Sequence, residues 1–254
     1  MVPFRISNLE DREAFYTGEF DIEKVEEWFE KHPPAPQLFA LDAGTETKIA
    51  KDPEKINQIT NLDSGISFEK LKEKLIHYLP EDAYYDRNRY KEPQKALAMI
   101  QKKDYFNNPN FLGQELAFDM DSDNLKCEQC RNKKFIDFCL NCFNNLKKKV
   151  PEAYGLLKEE FKQVEIIYSG RGFHFHIFDK KAYALSLEER EACNERLKGY
   201  FMDPWVSRGR IRLIRLPYSL NALVSRIVTP LTLKEVEIFD ISADERVIPE
   251  FLKK

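Results

Sequence analysis

An α+β fold with a mixed sheet core flanked by helices is what the chain predicts, and three observations carry it. Segments of helical and of strand period are interleaved, without the regular strand–helix–strand alternation that builds a parallel sheet. The 254 residues suffice for one full hydrophobic core, and a composition 43% hydrophobic and 13% aromatic is that of a globular chain. Charged residues make up 33% yet leave a net charge of only -3. No global field therefore draws the chain to DNA or a membrane, and any anion-binding surface is local.

From the N-terminus, residues 9–31 are acidic and carry Val25, Trp28 and Phe29 at helical spacing, which predicts a helix. Residues 37–42 predict a short strand after the break Pro33-Pro34-Ala35-Pro36, and 43–65 a polar, irregular stretch. Phe68, Leu71, Leu75 and Leu79 keep helical period up to Pro80. Residues 84–90 and 111–121 predict strands, and 150–162 a helix. Residues 163–179 predict two strands meeting at a turn where Gly170 and Gly172 flank Arg171. Ser186 and Glu189 form a Ser-x-x-Glu capping box opening a helix to about Tyr200. Residues 208–216 predict a strand and 236–239 one more. The expected organisation is one domain over 1–254. No apolar run approaches the roughly 20 residues of a bilayer span, and the opening Met-Val-Pro-Phe-Arg-Ile-Ser has no signal-peptide pattern. A soluble, cytoplasmic protein without membrane contact is expected.

Residues 115–123 read Glu-Leu-Ala-Phe-Asp-Met-Asp-Ser-Asp, in which Leu116, Phe118 and Met120 alternate with Ala117, Asp119 and Asp121. This is a strand with one apolar face. Asp119 and Asp121 project from its other side, within reach of one divalent cation or a pair, because carboxylates that close repel unless a cation lies between them. A strand end entering an acidic turn would give the same letters; later segments favour metal.

Cys127, Cys130, Cys139 and Cys142 follow as C-x2-C-x8-C-x2-C, four of the chain's five cysteines within 16 residues. Two such knuckles bring four thiolates into the tetrahedron that suits Zn2+, and with all four positions filled by protein the site is structural. A zinc-binding module embedded at 122–146 is expected. Lys126, Arg131, Lys133 and Lys134 around it offer nucleic-acid contact or ordinary solvation. Cys193, inside a helix, reads as a small buried hydrophobe.

Two basic segments complete the set. At the turn of 163–179, Ser169, Arg171 and His174 crowd between two apolar strands. Gly170 and Gly172 let backbone N–H groups approach an anion, and the guanidinium fork matches phosphate oxygens. The combination suits a triphosphate cradle; an ordinary hairpin turn is the other reading. His176 reads as a satisfied strand residue. Along 208–217, Arg208, Arg210 and Arg212 alternate before Arg215, giving a local anion site or a charge-guarded edge strand.

Together these segments resemble the catalytic small subunit of archaeal and eukaryotic DNA primase. Gly-Gln-Glu-Leu-Ala-Phe-Asp-Met-Asp, ending at Asp121, is similar to its metal-binding motif, and the cysteines sit where that family carries a zinc module. Tyr168-Ser-Gly-Arg-Gly-Phe-His resembles its nucleotide-binding turn, and Arg212-Leu-Ile-Arg-Leu-Pro-Tyr-Ser-Leu its late basic motif. The likeness runs from about residue 37 to 240. It implies a primase-type core that synthesises short primers on single-stranded DNA from nucleoside triphosphates, by two-metal nucleotidyl transfer. Asp119 and Asp121 would bind Mg2+ or Mn2+. Ser169, Gly170, Arg171, Gly172 and His174 would hold the triphosphate, and Arg212 and Arg215 would neutralise phosphate. A primase large subunit, or a fused equivalent, is the implied partner.

Three departures from the family's pattern matter. The third metal-binding Asp is replaced by Gly209, Ser219-Leu220-Asn221 stands where Ser-Leu-His is usual, and the segment between turn and basic strand is shorter. Asp203 or Asp240 could substitute spatially for the missing acid, but each reads first as a loop acid. Two alternatives follow: a catalytically impaired module of the same fold that binds nucleotide or DNA, and an Asp-x-Asp nucleotide-sugar transferase. The last gives no reason for the cysteines or the arginines.

Overall fold

The computed structural model of the chain describes residues 2–100, 105–125, 127, 128, 130 and 138–253. Strands begin with β1 (Phe39–Asp42), β2 (Ile59–Asn61) and β3 (Asp82–Asp86), followed by a ribbon of β4 (Asn88–Tyr90) with β5 (Phe111–Gln114). Then come β6 (Leu116–Asp121), β7 (Val164–Tyr168), β8 (Gly172–Ile177) and the short β9 (Leu213–Arg215). A second ribbon pairs β10 (Leu220–Asn221) with β11 (Arg226–Ile227), and β12 (Thr229–Leu231) is last. One sheet has the order β2-β1-β3-β9 and the other β12-β7-β8-β6. Every pairing in them is antiparallel, where a mixed sheet was expected. Neighbouring strands meet through hairpins and returns, not through the crossover helices that parallel pairing needs.

Alternation decides which face of the second sheet is greasy. Leu116, Phe118, Met120, Ile166, Phe173, Phe175 and Ile177 point to a core covered by α5 (Leu140–Lys147), α6 (Val150–Glu160) and α9 (Leu233–Ile238), to which α7 (Leu187–Arg196) adds Cys193. The remaining helices are α1 (Leu9–Ala14), α2 (Ile22–Lys31), α3 (Phe68–Tyr78), α4 (Ala96–Ile100) and α8 (Pro204–Ser207). The reverse face gives Ala117 and Ile167 to a second core, which holds Phe39, Leu41, Tyr85 and Ile214 of the first sheet beneath α2 and α3. The polar residues of β6 and β8 lie on this reverse face, where the two sheets meet.

The helix expected over 9–31 is broken. A π-helical turn at Phe15–Glu19 follows α1, and Asp21 starts α2 afresh by accepting from the Glu23 amide at 3.0 Å. β2 lies inside the stretch read as irregular. The Ser186–Glu189 box caps α7 as expected, with the helix ending at Arg196. Residues 236–239 belong to α9 and its C-cap, not to a strand, because Thr232 and Glu235 form another capping box. The strand expected over 208–216 shrinks to β9. Gly209, with a φ of +79°, turns the chain out of extended geometry. No helix among the described residues is long and apolar enough to cross a membrane.

Candidate active site

Asp119 and Asp121 lie on one face of β6, as their spacing predicts. Strand register adds their neighbours: Asp119 pairs with His174 and Asp121 with Gly172 across β6 and β8. His174 Nε2 stands 3.5 Å from Asp119 Oδ1. Burial, reinforced by His176 and Arg87, holds this imidazole well below its usual range, so a neutral ring meets the carboxyl group and the contact is no ion pair. Asp119 is pushed well above the ordinary carboxylate range, first by burial and then by the charges of Asp121 and Asp203.

Asp203 reaches the site from the far side of β6. Met202 forms an antiparallel bridge with Met120, and the Asp203 amide donates to the Asp119 carbonyl at 2.7 Å. The bridge sets Asp203 opposite Asp119 at the open edge of the sheet, on the same face. Its Oδ1 also accepts from the Trp205 amide at 2.8 Å, capping α8. Asp240, the other substitute weighed from the sequence, is exposed and caps a local turn through the Ser242 amide at 2.8 Å. Gly209 disfavours the acid that the resemblance puts there, because its φ of +79° is one that side chains rarely adopt. A Cβ at this position would come within 2.8 Å of both Gln114 Oε1 and Phe106 Cζ.

The turn between β7 and β8 closes the site. The Ser169 amide donates to the Gly172 carbonyl at 3.0 Å. At Gly170, with a φ of +104°, a Cβ would lie 2.4 Å from Asn221 Nδ2, so only glycine fits. Asn221, one of the departures noted above, donates from Nδ2 to the Ser169 carbonyl at 3.0 Å and braces the turn. Arg171 Nη2 donates to Asp123 Oδ1 at 2.6 Å and Oδ2 at 2.5 Å. Burial and the Asp121 charge push Asp123 up to about 6, against the pull of Arg171. Asp119, Asp121 and the segment from Ser169 to His174 therefore share one corner. Asp123 and Asn221 are members of it to which the sequence reading assigned no role.

Arg212 and Arg215 are engaged elsewhere. Arg212 donates to Asp86 Oδ2 at 2.6 Å and to Asn61, and Arg215 donates to Asp82. Arg208 donates to Glu191 Oε1 at 2.6 Å. Both predicted phosphate ligands thus have their charge answered by carboxylates of β3. His176 is tied internally too: its Nδ1 lies 2.7 Å from Glu115 Oε1, and Tyr85 donates to Glu115 Oε2 at 2.9 Å.

Cys127, Cys130, Cys139 and Cys142 are free thiols whose sulfurs all lie within 4.8 Å of one another. Separations of 3.4 Å (Cys127–Cys130), 3.7 Å (Cys127–Cys139) and 3.3 Å (Cys130–Cys142) approach the roughly 3.8 Å edge of a tetrahedron with zinc–sulfur bonds of about 2.3 Å. The donor set fits a metal ion. No other trio of His, Cys, Asp or Glu among the described residues draws its ligand atoms so close. Lys126, Arg131, Lys133 and Lys134 lie outside the described residues, as does part of the expected 122–146 module.

No protein-family model matches the chain. Among curated proteins, an uncharacterized DNA primase small subunit-like protein of Archaeoglobus fulgidus is 38% identical over 260 residues, covering 98% of this chain and 91% of the relative. A DNA primase small subunit of Pyrobaculum calidifontis is 33% identical over 141 residues, 54% of this chain and 42% of the relative. One of Pyrococcus horikoshii is 27% identical over 72% of this chain and 46% of the relative. Among solved structures, the polymerase domain of Mycobacterium tuberculosis ligase D in complex with DNA shares the fold, with a TM-score of 0.50 at 12% identity, covering 96% of this chain and 87% of that one. The chain belongs to the DNA primase small subunit-like family.

Proposed function

We propose that the chain is a primase-type nucleotidyltransferase that joins nucleotides into short primers on single-stranded DNA. The observation that carries this reading is the β6–β8 register, which sets Asp119 and Asp121 against His174 and the Ser169–Gly172 turn. Asp119, Asp121 and Asp203 would hold Mg2+ or Mn2+, with Asp203 serving in place of the acid that Gly209 disfavours. When bound, the cations lower the charge on the reacting phosphate and stabilise the entering and leaving oxygens. The glycine turn presents backbone N–H groups to a triphosphate, and Arg171, released from Asp123, adds a planar fork of donors. His174, kept neutral by burial, donates one hydrogen bond there without adding charge. Arg212 and Arg215 steady β3 against β9 and reach phosphate only by sharing with Asp86 and Asp82. The four cysteines would hold a structural Zn2+. Single-stranded DNA, nucleoside triphosphates and a large subunit are the partners this reading implies.

Primer synthesis on a single-stranded template, with Mg2+ or Mn2+ and either ribo- or deoxyribonucleotides, tests it. Wild-type protein makes labelled oligomers, and Asp119→Ala loses at least roughly a thousandfold in rate, since metal stabilisation is worth several kcal/mol. If both proteins are silent while nucleotide still binds, the chain is instead a binding module of the same fold, the reading that Gly209 favours.

A further inference from the structure

Between Asp203 and Leu213 the chain borders a cavity that the acid chemistry leaves unused. It measures about 580 Å3 and is walled by Tyr84, Tyr105 and Trp205, together with Arg210 and Arg212. Of seven large hydrophobic side chains exposed among the described residues, three line it: Ile59 at 47%, Trp205 at 58% and Ile211 at 40%. Apolar surface gathered in this way marks a place that something covers. The Arg210 guanidinium lies 5.8 Å from the centre of the Trp205 ring. No Asp or Glu is among the lining residues.

Flat aromatic walls beside the Arg210 guanidinium, with no carboxylate in the lining, suit a planar ring attached to phosphate. The volume accepts a nucleoside and is far too small for a duplex. The cavity adjoins the acids: the Trp205 amide is bonded to Asp203 Oδ1, and α8, which carries Trp205, packs on β6. We propose that it receives the base of a nucleotide whose phosphate lies at Asp119, Asp121 and Asp203, packed against the aromatic wall of Trp205 and Tyr84 with Arg210 beside it. This rests on the nucleotidyl-transfer reading and adds to it a base-binding subsite. The base belongs either to a single strand of DNA or to a free nucleoside triphosphate.

Trp28 is the chain's other tryptophan and is only 6% exposed, so in Trp28→Phe protein the fluorescence reports on Trp205. The probes are oligothymidylate, an abasic strand of equal length, and a nucleoside triphosphate with Mg2+. Quenching by the strand but not by its abasic counterpart assigns the cavity to a DNA base; quenching by the triphosphate alone assigns it to the incoming nucleotide. Trp205→Ala, followed by anisotropy in the otherwise native chain, weakens the ligand that quenches by roughly tenfold. Equal binding of normal and abasic strands, with neither strand nor triphosphate affected by Trp205→Ala, overturns the proposal. Synthesis by wild type with no base-dependent signal removes the cavity proposal and leaves the enzyme reading intact. Base-dependent quenching in a protein that never synthesises primers does the reverse.

Discussion

A carboxyl group that faces Asp203 across a β-bridge and Asp121 two residues along its own strand holds its proton more tightly than an exposed acid does, and Asp119 is such a group. Asp123 shares the effect, raised to about 6. The consequence for stability has a definite sign. An acid with a higher pKa in the folded than in the unfolded chain makes the folded state bind more protons, so stability is lost as pH rises. The loss runs from about pH 4, the unfolded value, to about 6 for Asp123 and higher for Asp119. In cation-free protein, thermal melts should therefore fall across this range. Mg2+ or Mn2+ should restore the melting temperature most at the upper end, and Asp119→Asn should flatten the profile. A melting temperature that rises with pH, and ignores the cation, would remove the acids from the metal site. Asp203 is tested separately. Asp203→Asn keeps the Trp205 cap and removes a charge, so synthesis should drop on the order of a hundredfold while the melting temperature holds or rises. Gly209→Asp on that background should not restore activity, because a side chain there is strained at a φ of +79°.

At the scale of elements, what could be read from the letters was local, and what could not was long-range. Alternation along 116–121 and 163–179 announced β6, β7 and β8, and with them the shared face of Asp119 and Asp121. The Ser186–Glu189 box announced α7 because the cap and its partner are three residues apart. Thr232 and Glu235 form the same kind of box at α9, which makes 236–239 the end of a helix where apolar composition predicts a strand. The partners of the arginines lie far off in sequence. Arg212 finds Asp86 across a sequence separation of 126 residues, and Arg215 finds Asp82 across 133, so no local pattern shows that their charge is answered. Asp203 was ambiguous for the same reason, since only the Met120–Met202 bridge brings it to β6. Asn221 is the element-scale residue to probe, because its Nδ2 bridges β10 to the glycine turn. Asn221→Ala should cost about 1 kcal/mol of stability and loosen the turn. Titration with a nucleoside triphosphate should then show a Kd several-fold weaker than wild type. An unchanged Kd would mean that the turn holds its shape unaided.

Across the whole molecule, the polar face of the second sheet is only as firm as the apolar face behind it. Phe143 of α5 stacks on Phe173, with ring centroids 5.3 Å apart and planes 25° from parallel. Phe173 immediately precedes His174 on β8. Cys142 is the neighbour of Phe143 on the same helix and is buried, while Cys139 is its N-cap residue. The thiolate cluster thus ties the start of α5 to the chain that leaves β6 just after Asp121. Without a metal, four sulfurs at 3.3–3.7 Å between neighbours would repel as thiolates, and binding free energy at such sites is folding free energy. Zinc content measured colorimetrically on denatured protein should be one ion per chain. Removing it with a strong chelator, or substituting Cys139→Ser, should lower the melting temperature by roughly 10 °C, as expected for the loss of a few kcal/mol in a domain of this size. Because α5 supports β8 from behind, nucleotide affinity should fall along with stability. A protein that contains no zinc as isolated, and whose melting temperature ignores both chelator and added metal, would show instead that the apolar contact of Phe143 with Phe173 holds α5 by itself.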